Sequence, residues 1–290
     1  MSPAHTPRAT HGPGLPTRKS HAKPGHLLPA VVALSGIELR TFFRDKRSLV
    51  FVLAFPVMLL VIFGAIFNGT ISGGGKTIPE KQLFMAGIIA AGVLSCAFQG
   101  LAINVVSERE SGLIRRLASS PMPKAAYFIA KVVRVLVTTV IEVAILIAIS
   151  VLAYGLPLPR SANGWLTLVW VVLLGAAACA LMGLAYTAII PSQNAAAAVV
   201  TPVFIALQFI SGVFFPLSLL PSWMLTLGAI FPLRWMAQGL RSVFLPPQLV
   251  MAEPVHSWEL HRAAIILLLW ALGGLVVVAR TFKWRGPRVK

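Results

Sequence analysis

The sequence predicts an all-α membrane protein with six transmembrane helices, and three observations carry that reading. Hydrophobic residues fill 57% of the 290 positions, with a mean hydropathy of +0.84. Charged residues make up only 11%, against roughly 25% in soluble domains. The apolar residues are gathered into long runs separated by short basic or proline-rich stretches, the pattern of a chain solvated by lipid.

Residues 1–29 are basic and rich in Pro and Gly, with four of the six histidines, and read as a disordered tail. There is no apolar h-region of a signal peptide in it. Residues 30–48 mix apolar positions with Glu38, Arg40, Arg44, Lys46 and Arg47, which suits a helix lying on the membrane surface. The spans follow at about 49–67, 83–106, 127–154, 165–190, 195–215 and 263–279. Nineteen residues of helix rise roughly 28 Å, close to the hydrocarbon thickness. Residues 216–247 are apolar but broken by Pro216, Pro221, Pro232, Pro246 and Pro247. Such short apolar pieces suit a re-entrant segment. A basic tail, 280–290, closes the chain, so the permease-like body is 49–279.

Charge sets the orientation. Basic clusters stand at 40–47, at Arg109, Arg115, Arg116 and Lys124, and at Arg280, Lys283, Arg285, Arg288 and Lys290. Six spans put all three on the cytoplasmic side, with both termini inside. Trp165, Trp223, Trp235 and Trp258 then fall near the outer interface. The formal charge of +17 does not imply nucleic acid, because the cations sit in tails and loops beside apolar runs. Cys96 and Cys179 lie inside apolar runs and read as small buried hydrophobes.

The stretch Gly69–Pro79 (GTISGGGKTIP) approaches a phosphate-binding loop. That loop needs a glycine five residues before its Gly-Lys-Ser/Thr, and position 70 is Thr. Asp45 is the single aspartate of the chain. The stretch reads as a flexible outer loop, and no nucleotide or metal site is expected in this chain.

The polar loop Ser107–Lys124 carries more. Ser107 and Glu110 have capping-box spacing, so a short helix is expected to start there. Leu113, Ile114 and Leu117 give it an apolar side, and Pro121 and Pro123 end it. It is either a solvated helix that sets topology or a docking helix for a cytoplasmic partner. Glu142 lies near the middle of the third span, where a carboxylate costs roughly 2.5–3.5 kcal/mol and must face protein or water. It either pairs structurally with Gln99, Asn104 or Thr201, or lies on a substrate or proton path. Gly175, Cys179 and Gly183 form a small-residue stripe for close helix packing, and Pro202 interrupts the fifth span.

Two of these segments resemble a known family. FISGVFFPLSLLPSWMLTLGAIFPLRWMAQGLRSVF (Phe209–Phe244) looks like the signature region of type 2 ABC exporter permeases, the group that includes the daunorubicin/doxorubicin-resistance permease. SERESGLIRRLASSP (Ser107–Pro121) is similar to that family's cytoplasmic ERE-x-G segment. The resemblance runs from about Ile37 to the C-terminus. It implies a bacterial inner-membrane exporter subunit, paired with a second permease copy and a separate ATPase that holds the ATP and magnesium. It places the ATPase contact at Glu108, Arg109, Glu110 and Gly112, with the helix at 30–48 sharing it. Leu113 and Leu117 are expected to fill an apolar groove of the same contact. It also makes 216–247 an outer pair of short re-entrant helices. Many members carry Glu where this chain has Gln238. Drugs, natural products, lipids and lipid-linked glycans all fit as substrate. The rival class is a proton-coupled secondary transporter using Glu142; its cue would be several intramembrane acids, and the spans hold one. A membrane-embedded enzyme would need clustered His, Asp or Ser chemistry in the spans, and they contain no His or Asp.

Overall fold

A computed structural model describes residues 27–73, 75–252 and 256–282. The two expected tails lie outside these residues up to position 26 and from position 283. The chain is almost wholly helical. Helix α1 spans Leu27–Arg44 and breaks at Asp45, and α2 spans Lys46–Ile66. Strands β1 (Thr70–Gly73) and β2 (Lys76–Pro79) lead to α3 (Glu80–Leu94), a π-helical turn (Ser95–Gly100) and α4 (Leu101–Glu110). The short helix α5 (Leu113–Ala118) precedes α6 (Lys124–Tyr154), α7 (Ala162–Tyr186) and α8 (Gln193–Ile210). Two small helices, α9 (Ser222–Gly228) and α10 (Pro232–Phe244), come before α11 (Leu260–Thr281).

Among the described residues, five helical runs are long and apolar enough to cross a membrane: Glu80–Glu110, α6, α7, α8 and α11. The remaining expected span, the first, falls on α2, which is 21 residues long, but its apolar stretch Val52–Ile66 is shorter than the other five. Each observed helix covers most of its expected span. The boundaries move outward at Lys124 and Thr281 and inward at Tyr186 and Ile210.

The 31-residue run Glu80–Glu110 extends well past the expected end of the second span. At 1.5 Å per residue it reaches roughly 46 Å, about 16 Å more than the hydrocarbon core. It is the most deeply enclosed of the five. The glycine of α7 at Gly183 permits its approach: a Cβ there would lie 2.9 Å from the Phe98 carbonyl oxygen of the π-helical turn. The small-residue stripe of α7 therefore packs as expected, with Gly175 against Met236 of α10.

The glycine-rich stretch is not a floppy loop. β1 and β2 form an antiparallel hairpin in which Ile71 pairs with Ile78 and Ser72 with Thr77. The Ser72 and Thr77 hydroxyls are 2.8 Å apart. Thr and Ile at paired positions favour a strand pair despite the glycines between them. Ile78 packs on Leu245 and Leu249, with Trp258 alongside. The proline-punctuated segment resolves into α9 and α10, seven and thirteen residues long. Helix α10 is almost wholly enclosed by α3, α7 and α11. That placement corrects one expectation: Trp235 is buried, its Nε1 donating to the Ala229 carbonyl at 2.8 Å, whereas Trp165 and Trp223 are exposed as interfacial indoles should be. Cys96 and Cys179 are both buried free thiols.

Candidate functional site

The expected helix start at Ser107 does not occur. Ser107 lies inside α4, which runs on to Glu110, with Ser111 as its C-terminal cap. A helix already under way has satisfied amide groups and needs no N-cap. The chain turns instead at Gly112, whose φ of +76° is a left-handed conformation that glycine adopts without strain. Helix α5 starts after that turn at Leu113.

The last turn of α4 places three consecutive charged side chains against three different elements. Glu108 points inward to α6: its Oε1 binds the Lys131 ammonium and its Oε2 accepts from the Tyr127 hydroxyl at 2.9 Å. Arg109 turns to the end of α7, donating to the Thr187 carbonyl at 3.1 Å and to the Ile190 carbonyl at 2.5 Å. Glu110 accepts the backbone amide of Gln193, the first residue of α8, at 2.7 Å. The cation thus meets carbonyls just beyond a helix C-terminus and the anion meets a helix N-terminus, each the favourable end of a helix dipole.

The Glu108 branch belongs to a larger ion cluster. Lys131, fully buried, also lies 2.7 Å from Glu38 of α1 and 3.1 Å from the Asn104 oxygen. Arg134, one turn further along α6, reaches Glu38 at 3.2 Å and Asn104 at 2.8 Å. The Arg134 guanidinium sits 5.2 Å from the Phe42 ring centre, and the Lys131 ammonium 5.3 Å from that of Tyr127. Two carboxylates thus face two cations, so neither buried charge is left uncompensated. The cluster joins α1, α4 and α6 at one level.

Most of the expected site residues therefore act within the chain. Glu108, Arg109 and Glu110 bond internally, and Asn104 serves the ion cluster. Leu113, Arg115 and Arg116 face outward on α5, whereas Ile114 is buried and Leu117 is half-buried against the core. Leu113 is thus free to meet a partner, and Leu117 is partly engaged.

Glu142 departs from the pairing expected of it. Gln99 donates to Thr201 at 3.1 Å, Asn104 is held by Lys131 and Arg134, and the Glu142 carboxyl meets no amide, hydroxyl or cation, its polar neighbour being the Cys96 thiol. Its carboxyl lies where a Cβ on Gly92 would meet it at 3.1 Å. The nearby Thr139 hydroxyl is unpartnered, while Cys96 and Thr138 lie 3.0 Å apart. Sequence reasoning missed Glu38, Lys131 and Arg134 as one group. The available signal was two cations at three-residue spacing near the start of an apolar helix, which need anions from other elements.

Long apolar helices around a buried charged junction define a polytopic membrane protein with a short projecting helix. Residues 29–245 match the sequence profile of the ABC-2 type transporter family, and the chain belongs to that family. It is 26% identical over 221 residues to the inner membrane transport permease YadH of Escherichia coli strain K12, covering 74% of this chain and 83% of that relative. The same figures hold for the permease of that name in Escherichia coli O157:H7 and in Shigella flexneri. The chain is therefore a membrane transport permease and not a soluble protein.

Proposed function

We propose that this chain is the membrane subunit of an ATP-driven exporter. It works as a pair of permease copies, each served by a separate cytoplasmic ATPase that holds the ATP and magnesium. The chain has six spans with both termini in the cytoplasm of a bacterial inner membrane, and α9 and α10 form an outer re-entrant pair. The cargo is hydrophobic or amphipathic. No nucleotide binds this subunit: Gly75-Lys76-Thr77 sits at a hairpin, not between a strand and a helix N-terminus that could cradle phosphate.

The observation that carries the reading is the three-way hold of Glu108, Arg109 and Glu110 directly before α5. A force applied to α5 reaches α6 and α1, the end of α7 and the start of α8 through one rigid turn. Such a joint is what a subunit lacking its own motor requires, because a flexible link would absorb the motion. On this reading Leu113, Arg115 and Arg116 touch the ATPase, while Glu108, Arg109 and Glu110 position α5 and distribute its motion.

The test separates touching from positioning. Leu113→Ala with Arg116→Ala is expected to leave the thermal midpoint of the purified chain unchanged. It should cut co-purification of the ATPase and stop transport, since truncating anchors of such a contact costs roughly 2 kcal/mol or more. Normal co-purification and parent-rate transport in that variant would sink the assignment.

A further inference from the structure

Helix α1 carries three distinct faces. Relative to Leu28, and at 100° per residue, Val32 and Phe43 stand at about 40° and 60°. All three are apolar and exposed, at 76%, 67% and 44%. Ser35 and Phe42 stand at about −20° and −40° and are buried. Arg40 and Arg44 stand at about 120° and 160°, exposed, and make no ion pair among the described residues. One face is thus packed on α6, the next is apolar and uncovered, and the third carries both arginines together with exposed Ala33 at about 140° and Ile37 at about 180°.

That order fits a helix lying at a lipid–water boundary, with its apolar face toward acyl chains and its arginines at the headgroup level. Charge identifies the headgroup. Lys46 adds a further exposed cation beside Arg44, and Asp45 is the one acid at that end. In sequence, residues 1–37 bring Arg8, Arg18, Lys19 and Lys23 and no acid at all. Glu38, the remaining carboxylate of α1, is taken up by Lys131 and Arg134. The exposed charges of α1 are therefore all positive, and each cation near an anionic leaflet contributes about 1 kcal/mol.

We infer that α1 is a binding surface for anionic phospholipid headgroups, with Arg40 and Arg44 as its contacts and Leu28, Val32 and Phe43 as its apolar anchor. The occupant is a bilayer lipid and not a protein face, because an apolar row beside a cationic row matches the two layers of a lipid monolayer. The inference needs α1 at a membrane surface but not the six-span orientation or an ATPase.

The test uses the full chain in lipid nanodiscs, which expose both membrane faces. Photoactivatable phosphatidylglycerol and phosphatidylcholine are compared, with adducts mapped by peptide mass spectrometry. Phosphatidylglycerol should label α1 at least about threefold more than phosphatidylcholine, the ratio expected of one to two surface cations after dilution by bulk lipid. Arg40→Gln with Arg44→Gln should bring the two labels to parity, and Arg40→Lys with Arg44→Lys should keep the preference. Both positions are exposed, and a monodisperse elution profile checks that each variant is folded. Soluble glycerol phosphate should not compete. Equal labelling by the two lipids in the parent, or protection of α1 from both by a second copy of the chain, would overturn the inference. So would full competition by glycerol phosphate, or an unchanged preference in the Gln variant.

Discussion

Glu38 and Glu108 hold the same ammonium group: Lys131 Nζ lies 2.7 Å from Glu38 Oε1 and also bonds Glu108 Oε1. A surface helix and the end of a long membrane helix are thereby tied through a single buried cation. Neither carboxylate can leave without exposing Lys131 to an incomplete partner set.

This sharing is measurable as non-additivity. Glu108→Ala and Lys131→Ala should each lower the thermal midpoint of the detergent-solubilised chain. The double variant should lose less than the sum, with a coupling of about 1–3 kcal/mol. Additive losses would show that the two side chains do not interact.

Arg109 is predicted not to tolerate a conservative exchange. Its guanidinium spans two carbonyls, Thr187 and Ile190, and an ammonium is a compact point donor that does not reproduce a planar fork. Arg109→Lys should recover less than half of the stability lost in Arg109→Ala. Full recovery would mean that charge alone, not the fork, fastens α4 to the end of α7.

Ile114 and Leu113 are adjacent, yet opposite outcomes are expected. Ile114→Ala truncates a side chain that is 2% exposed and should cost about 2–4 kcal/mol of stability. Leu113→Ala should cost little stability and be felt in ATPase co-purification. A matching stability loss at both positions would show that α5 is anchored differently.

Glu142→Gln should leave stability equal or higher, because the fold offers the carboxyl no cation or amide, only the Cys96 thiol, which an amide oxygen can also accept from, and a buried carboxylate carries a desolvation cost. Transport should persist without a proton gradient. If Glu142→Gln folds normally but abolishes transport, or if transport collapses with the gradient while ATP is present, the proton-coupled reading would replace the ATP-driven one.

Orientation has its own check. Lys76→Cys, at the hairpin, should react with a membrane-impermeant thiol reagent added to intact cells. Arg285→Cys should react only after permeabilisation. Labelling of position 285 from outside would exclude the six-span arrangement.

Five of the expected spans were legible in the sequence, because hydropathy acts locally and a long apolar run announces itself. The misreadings share a physical origin. Ser107 and Glu110 have the spacing of a cap, but spacing does not reveal that a helix is already in progress. Thr70, Ile71, Thr77 and Ile78 were strand signals, overshadowed by the glycines between them. The partners of Glu108, Arg109 and Glu110 lie 19 to 83 residues away, and nothing in one sequence pairs a charge with a distant backbone carbonyl. Glu142 was assigned partners by depth alone, and it faces Gly92 of α3 instead.

The π-helical turn at Ser95–Gly100 sets the phase of everything below it. Such a turn amounts to one extra residue in an α-helix, and one residue is about 100° of rotation. Without it, the end of α4 would be out of register with its neighbours by that angle. Each of Glu108, Arg109 and Glu110 would face the direction now taken by the residue beside it, setting an anion toward the carbonyls beyond α7 or a cation toward the start of α8. A single-residue deletion just after the turn, between Leu101 and Val106, should therefore disarm the charged triplet without altering any of its three letters, whereas a deletion within Ser95–Gly100 should close the turn into plain α-helix and keep the triplet in phase.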